Sequence, residues 1–339
     1  MKFLHISPHL HESLFQDECQ IGGFYCTHLA FNAHPNWQAE FGYTRSYFGK
    51  MKNFDIIYVC MAKPEIEQRT IDMIRAEIGH SKDAPIVVGS IDYAIELWDM
   101  PFSVPQVRDQ LEKCDVIVAS EPALQSTLRA LMNDRTIHIL PHPTNVDYIK
   151  RFRKPITARQ FNIVSMIHRY DNNWKTQFII LYRMIELKQK GMEMPDLEAI
   201  LLSGDETAKI ELMPFFGRVQ MGMPYPQQME YLGRQLICVD SYHRLHTYGR
   251  TVVDCAAIGL PLVGTKLQYL QNFLFPRLTT DPYDLYAQQD LVQRLVEDKI
   301  FYQEVVDFAY SKVDDYGFTK SVERFLAVVE KELPGRLHG

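Results

Sequence analysis

Short apolar runs, rich in Ile and Val and lacking polar alternation, constrain this chain more than any other feature. KFLHI from Lys2, DIIYVC from Asp55, PIVVGSI from Pro85, DVIVAS from Asp115 and TIHIL from Thr136 make a first series. FNIVSMI from Phe161, LEAILLSG from Leu197, QLICVD from Gln235 and LPLVGT from Leu260 make a second. A strand covered on one face alternates apolar and polar residues, whereas a run apolar throughout suits a parallel strand covered on both. Helical segments such as 176–190 separate the runs, so an α/β pattern occurs twice.

Between the two series, PHPTNVDYIKRFRKPITARQ carries three prolines and many polar residues and reads as a connection, with a domain boundary near Asn145. At 339 residues the chain has room for two cores. From Gln289 to Leu333 the apolar positions follow a helical period, interrupted at Asp314 to Gly317. The expected organisation is therefore a domain over 1–145, a second over 146–312, and a terminal helical segment over 313–339. Two doubly wound domains would present the carboxyl ends of their strands to ligands.

Hydrophobic residues at 46% and charged residues at 23% exclude a disordered chain. The formal charge of -6 supplies no general attraction to polyanions or anionic lipid. The opening MKFLHISPHL is broken by His5, Ser7, Pro8 and His9 and is not a signal sequence, and no apolar stretch of about 20 residues spans a bilayer. A cytoplasmic location is expected. Six cysteines form no C-x-x-C pair, which argues against a zinc site or disulfide framework. His5, His9 and His11 have no partnering Cys or Asp at helical ligand spacing, so a metal is not expected there.

The chemistry concentrates in DSYHRLHTYGRTVVDCAAIGLPLVGT, from Asp240 to Thr265. A strand end, a glycine turn and a helix beginning near Arg250 suit a diphosphate. Gly249 permits close backbone approach, and the amides of Arg250, Thr251 and Val252 direct partial positive charge outward. Asp254, one turn on, has the acceptors for a ribose diol. A glycine before a helix serves any α/β turn; its placement ahead of Asp254 and CAAIGLP makes it specific. Tyr225, Tyr231 and Tyr242 read as packing residues.

This segment resembles the nucleotide-sugar motif of the retaining, family 4-type glycosyltransferases with the GT-B fold. That family shows a glutamate, a Gly-Phe-Gly-like turn, a second glutamate eight positions on, a small-residue helix and G-x-P-V. Here the turn is Thr247, Tyr248 and Gly249, the second acid is Asp254, and His246 stands at the first acidic position. The resemblance implies an α/β protein with two Rossmann-like doubly wound domains facing across a cleft and a C-terminal helix crossing back to the first.

By the same resemblance, His246 holds the donor sugar, while Arg169 and Lys175 in FNIVSMIHRYDNNWKTQ neutralise the leaving pyrophosphate. Gly204 ends ILLSGD at a turn, and Gly22 and Gly23 bring the first loop to the donor. Asp92 occupies the position of a family histidine and would orient or deprotonate the acceptor hydroxyl. The implied reaction moves a sugar from a UDP- or GDP-sugar, with retention. No Asp-x-Asp metal motif occurs, so no cofactor is required.

The acceptor stays open among a small molecule, a glycan, a lipid-linked sugar and a modified DNA base, and so does the oligomeric state. Two alternatives stand beside transfer. One is a sugar-nucleotide epimerase of the same architecture; the other is a nonenzymatic binder, motivated by His246 and Asp92.

Overall fold

The computed structural model describes residues 1–6, 26–61, 69–91, 103–133, 135–167, 174–201, 206–243 and 246–337. The chain divides into two units, Met1–Asn145 with Tyr316–Gly339, and Val146–Asp315.

Unit 1 runs β1 (Lys2–Ile6), α1 (Thr27–Ala33), β2 (Gln38–Gly42), α2 (Thr44–Tyr47), β3 (Ile56–Met61), α3 (Thr70–Ile78), β4 (Ile86–Ile91), α4 (Ser103–Glu112), β5 (Val116–Ala119), α5 (Pro122–Leu131) and β6 (His138–Ile139). The strands pair in parallel in the order β2-β1-β3-β4-β5-β6, with Phe3 opposite Ile56 and Ile56 opposite Ile86. Alternate residues feed two separate cores. Leu4, Ile57, Val59, Val87 and Ile117 pack on one face, and Phe3, Ile56, Tyr58, Val88 and Val118 on the other. This is why the runs carry no polar alternation.

Unit 2 runs α6 (Val146–Lys150), β7 (Asn162–Ile167), α7 (Trp174–Gln189), β8 (Asp196–Leu201), α8 (Glu206–Leu212), β9 (Arg218–Met221), α9 (Tyr225–Gly233), β10 (Ile237–Asp240), α10 (Arg250–Ile258), β11 (Leu262–Thr265), α11 (Gln271–Leu274), β12 (Thr279–Thr280), α12 (Leu285–Glu297) and α13 (Lys299–Lys312). Its parallel order is β12-β11-β10-β7-β8-β9. Asp298 begins α13 by accepting the Phe301 amide at 2.9 Å, so the helical period read as continuous from Gln289 is broken there by an N-cap.

Residues Val313 to Tyr316 form a 3-10 turn, after which α14 (Phe318–Glu332) returns to unit 1. Its Val322, Phe325 and Val329 join the second core of that sheet. The Phe325 ring stands edge-on to Phe31 at 5.2 Å and to Phe3 and Tyr58 at 5.7 Å. Full burial of such a side chain is worth about 1.5–3 kcal/mol. His138 and Glu332 meet at 2.8 Å at the far end of the helix.

The strands β2, β9 and β12 have no counterpart among the apolar runs. Each sits at or next to a sheet edge and is short or partly exposed, so its sequence does not need to be apolar throughout.

Candidate functional site

The strand order of unit 2 reverses between β7 and β10. From β7 the chain proceeds outward through β8 and β9, and from β10 it proceeds the other way through β11 and β12. Val164 lies opposite Cys238, so the carboxyl ends of these two strands are adjacent. Open α/β sheets bind ligands at such a switch point.

After β10, the turn residues Thr247 and Tyr248 are fixed by backbone bonds to the segment after β11. Thr247 N donates to Leu267 O at 2.9 Å, Tyr269 N to Thr247 O at 2.8 Å, and Leu270 N to Tyr248 O at 3.2 Å. Gly249 then takes φ +90° and ψ 55°, and a Cβ there would lie 3.1 Å from Val252 Cγ2. The left-handed turn therefore requires glycine. Every residue of α10 except Thr251 is buried, and Gly259 closes the helix in a second left-handed turn at φ +69°. Val252 N donates to Gly249 O at 3.2 Å, so of the three amides expected at the helix start this one is engaged within its own turn.

One turn into α10, Asp254 belongs to a buried triad. Its Oδ1 accepts from Arg250 Nε at 3.0 Å and from the Tyr225 hydroxyl at 2.7 Å. Arg250 Nη2 donates to the same tyrosine oxygen at 2.7 Å. The Arg250 and Asp254 side chains are 7% and 4% exposed. Burial raises the Tyr225 hydroxyl well above its ordinary range and keeps it a proton donor. Tyr225 thus bonds at the site, where its sequence context indicated packing alone. No local spacing signals this, because the tyrosine enters from the start of a different helix.

A buried polar floor lies beside the turn. Gln268 Nε2 donates to Asp240 Oδ2 at 2.9 Å, Ser241 Oγ to Gln288 Oε1 at 2.7 Å, and Thr265 Oγ1 to Tyr242 O at 2.8 Å. His246 is half-buried immediately before Thr247. Lys175 is exposed in the first turn of α7, with its ammonium 5.6 Å from the Trp174 ring centroid. The structure therefore collects His246, Tyr248, Gly249, Arg250, Thr251 and Asp254 along one turn and helix start. Gly22, Gly23, Asp92, Arg169 and Gly204 lie outside the described residues, as do His9 and His11.

The switch point of unit 1 falls between β1 and β3. There His5 is buried, its ring 6.0 Å from His28 and 4.7 Å from Phe41. Desolvation lowers the His5 pKa well below its ordinary value, and the nearby His28 and His142 add to the shift. Among the described residues, no three His, Cys, Asp or Glu side chains converge to hold a metal ion. The described cysteines are buried free thiols. No described helix is long and apolar enough to cross a membrane. In the basic run after Asn145, Lys150 pairs with Asp314 at 2.5 Å, and the Arg153 guanidinium stacks 3.8 Å from the Tyr310 ring.

The sequence matches no protein-family model, and no curated protein matches it significantly. The folded chain does match solved structures. An alpha-glucosyltransferase solved with UDP-glucose and DNA containing an abasic site gives a TM-score of 0.67 at 9% identity, over 97% of this chain and 99% of that one. The N-terminal domain of Candida albicans trehalose-6-phosphate phosphatase gives 0.72 at 9% identity, over 98% and 97%. Anabaena HepE in complex with UDP gives 0.64 at 12% identity, over 98% and 100%. At these identities the likeness is one of fold. The chain is an α/β protein of the GT-B class, with two Rossmann-like parallel sheets, as the sequence resemblance implies.

Proposed function

We propose that this protein is a glycosyltransferase that moves a sugar from a nucleoside-diphosphate sugar, with UDP as the nucleotide, to an acceptor hydroxyl. The observation that carries the reading is the left-handed Gly249 opening α10 at the switch point of unit 2, with Asp254 one turn inside. Solved proteins of the same fold hold UDP or UDP-glucose, which supports uridine as the base.

In this reading the helix-start amides of Arg250 and Thr251, with Lys175 and Arg169, bind the diphosphate and stabilise the charge that develops as it leaves. Asp254 binds the ribose and His246 a hydroxyl of the sugar. Tyr248 holds the turn from its buried position. Gly204, Gly22 and Gly23 let their loops approach the donor, and Asp92 orients the acceptor. Transfer with retention lets the departing phosphate take the acceptor proton, so no strong protein base is needed. The reaction requires no metal.

The residues of unit 1 hold sixteen Lys and Arg against twenty-one Asp and Glu. If that unit receives the acceptor, as the resemblance implies, its charge disfavours DNA and favours a neutral or weakly charged hydroxyl compound.

The test is thermal stabilisation by UDP, GDP, ADP and UDP-sugars, with magnesium or with a chelator, followed by product analysis. A selective shift with UDP and its sugars that survives chelation, together with acceptor-dependent release of UDP and a product of unchanged anomeric configuration, supports the reading. Conversion of the donor without acceptor would identify an epimerase, and binding without turnover across a broad acceptor panel a nonenzymatic binder.

A further inference from the structure

We propose that the outer edge of β9 is a docking site for an extended, acidic peptide segment of a partner protein, which adds to the sheet of unit 2 as a further strand.

The described strands leave four sheet edges, and three of them are minimal or covered. β6 and β12 are two residues long. Along β2, Asn32 covers the outward groups of Ala39, donating to its oxygen at 2.9 Å and accepting from its amide at 2.7 Å. The Tyr47 hydroxyl donates to Phe41 O on the same edge at 3.2 Å. β9 has no such cover. Asp196 N donates to Phe161 O at 3.1 Å on the β7 side, so Leu197, Ala199 and Leu201 bond toward β9. In the register that sets Glu198 against Arg218, those bonds reach Arg218 and Gln220. The N–H and C=O groups of Val219 and Met221 therefore point away from the sheet, with no partner among the described residues.

That edge forms the floor of a groove of about 450 Å³, lined by all of β9 and rimmed by Lys209 from α8 and by Glu230 and Arg234 at the end of α9. A second cavity, of about 420 Å³, opens beside Gly217 and Arg218, with Met184, Ile185 and Phe215 in its walls. Outward donors and acceptors in alternation are the complement of another backbone, and cavities beside the edge can take alternate side chains of an added strand. Charge selects the occupant. Three cations and one carboxylate line the groove. Lys209 pairs with Glu206 and Arg234 with Glu230, whereas Arg218 is exposed and makes no ion pair among the described residues. A carboxylate on the added strand would meet Arg218. A second copy of this chain would instead bring its own Arg218 and Lys209 to the same edge, where like charges repel.

The experiment is fluorescence anisotropy of a short, blocked, labelled peptide of alternating Val and Glu, and of its Val-Lys counterpart, titrated with the full chain. The wild type should bind the Val-Glu peptide at least about tenfold more tightly than the Val-Lys peptide. Arg218→Glu, a change at an exposed side chain, should reverse that preference. Met221→Pro removes one outward donor at an edge position where proline is tolerated, and should weaken the Val-Glu peptide about tenfold. Met221→Ala keeps the amide and should stay within about threefold of the wild type. A wild type that binds neither peptide, or both equally, overturns the proposal, as does an Arg218→Glu variant that keeps the wild-type preference. So does a folded Met221→Pro that binds as the wild type does, or equal weakening by Met221→Pro and Met221→Ala, which would place the contact on the methionine side chain. A wild type that sediments as a dimer and is split by Met221→Pro would give the edge to a second copy and overturn the acidic-peptide assignment.

Discussion

Both units bury titratable side chains beside a switch point of the sheet, and they handle the charge in opposite ways. In unit 1, His5 stands among rings and its pKa is driven down, so it is neutral. In unit 2, Asp254 is buried but paired, with Arg250 one turn before it and Tyr225 donating to it. A neutral ring needs no counter-charge, whereas a buried charge needs a partner in fixed geometry. The proposed donor chemistry, which depends on charge, therefore draws on the pair already formed in unit 2.

Asp254→Ala tests this contrast with the largest expected effect. It leaves Arg250 buried without its carboxylate, and the unfolding free energy in urea should fall by about 3–5 kcal/mol. A loss below about 1 kcal/mol would show that the arginine's other partners, Tyr225 among them, suffice and that the two switch points do not differ as described.

His5 tests the other half. Its folded pKa lies below the unfolded value of about 6.5, so the unfolded chain binds the proton first as pH falls. The stability tied to the neutral ring is complete above that pH. Below it, stability is lost by up to about 1.4 kcal/mol per pH unit until the folded pKa is passed. His5→Leu should flatten the stability curve between pH 6.5 and 5 by up to one proton, about the pH range where free histidine titrates. Identical slopes in the two proteins would mean that His5 is not the neutral buried group.

Gly249→Ala forces a side chain into a backbone at φ +90° and against Val252, at an expected cost of about 1–2 kcal/mol together with weaker UDP binding. Unchanged UDP affinity in this variant would remove the turn from the donor site. Lys175→Ala gives the smallest stability effect, within about 0.5 kcal/mol, because the side chain is exposed. UDP affinity should nevertheless fall roughly tenfold, and a variant that binds UDP as the wild type does would return Lys175 to an ordinary surface role.

The doubled sheet is legible because a strand buried on both faces has to be apolar at consecutive positions, and the runs from Lys2, Asp55, Pro85 and Asp115 all show this. The helix from Arg250 to Ile258 is legible because its ends are local events, with glycine in a left-handed turn at Gly249 and again at Gly259. The edge strands β2, β9 and β12 escape because partial exposure removes the pattern. The break at Asp298 escapes because the apolar period of α12 carries on into α13 and only the capping aspartate marks it.

By itself the sequence determined the repeated α/β alternation, the position of the glycine turn and the placement of Asp254 one helical turn beyond it. These follow from backbone preferences and from periodicity, which act over a few residues. Tertiary structure alone decided that Tyr225, 29 residues before Asp254, joins its pair with Arg250. It also decided that His5 is neutral and that the carboxyl ends of β7 and β10 are neighbours. Each of these depends on which side chains a parallel sheet brings together and how completely they leave water, and neither quantity is written in local spacing.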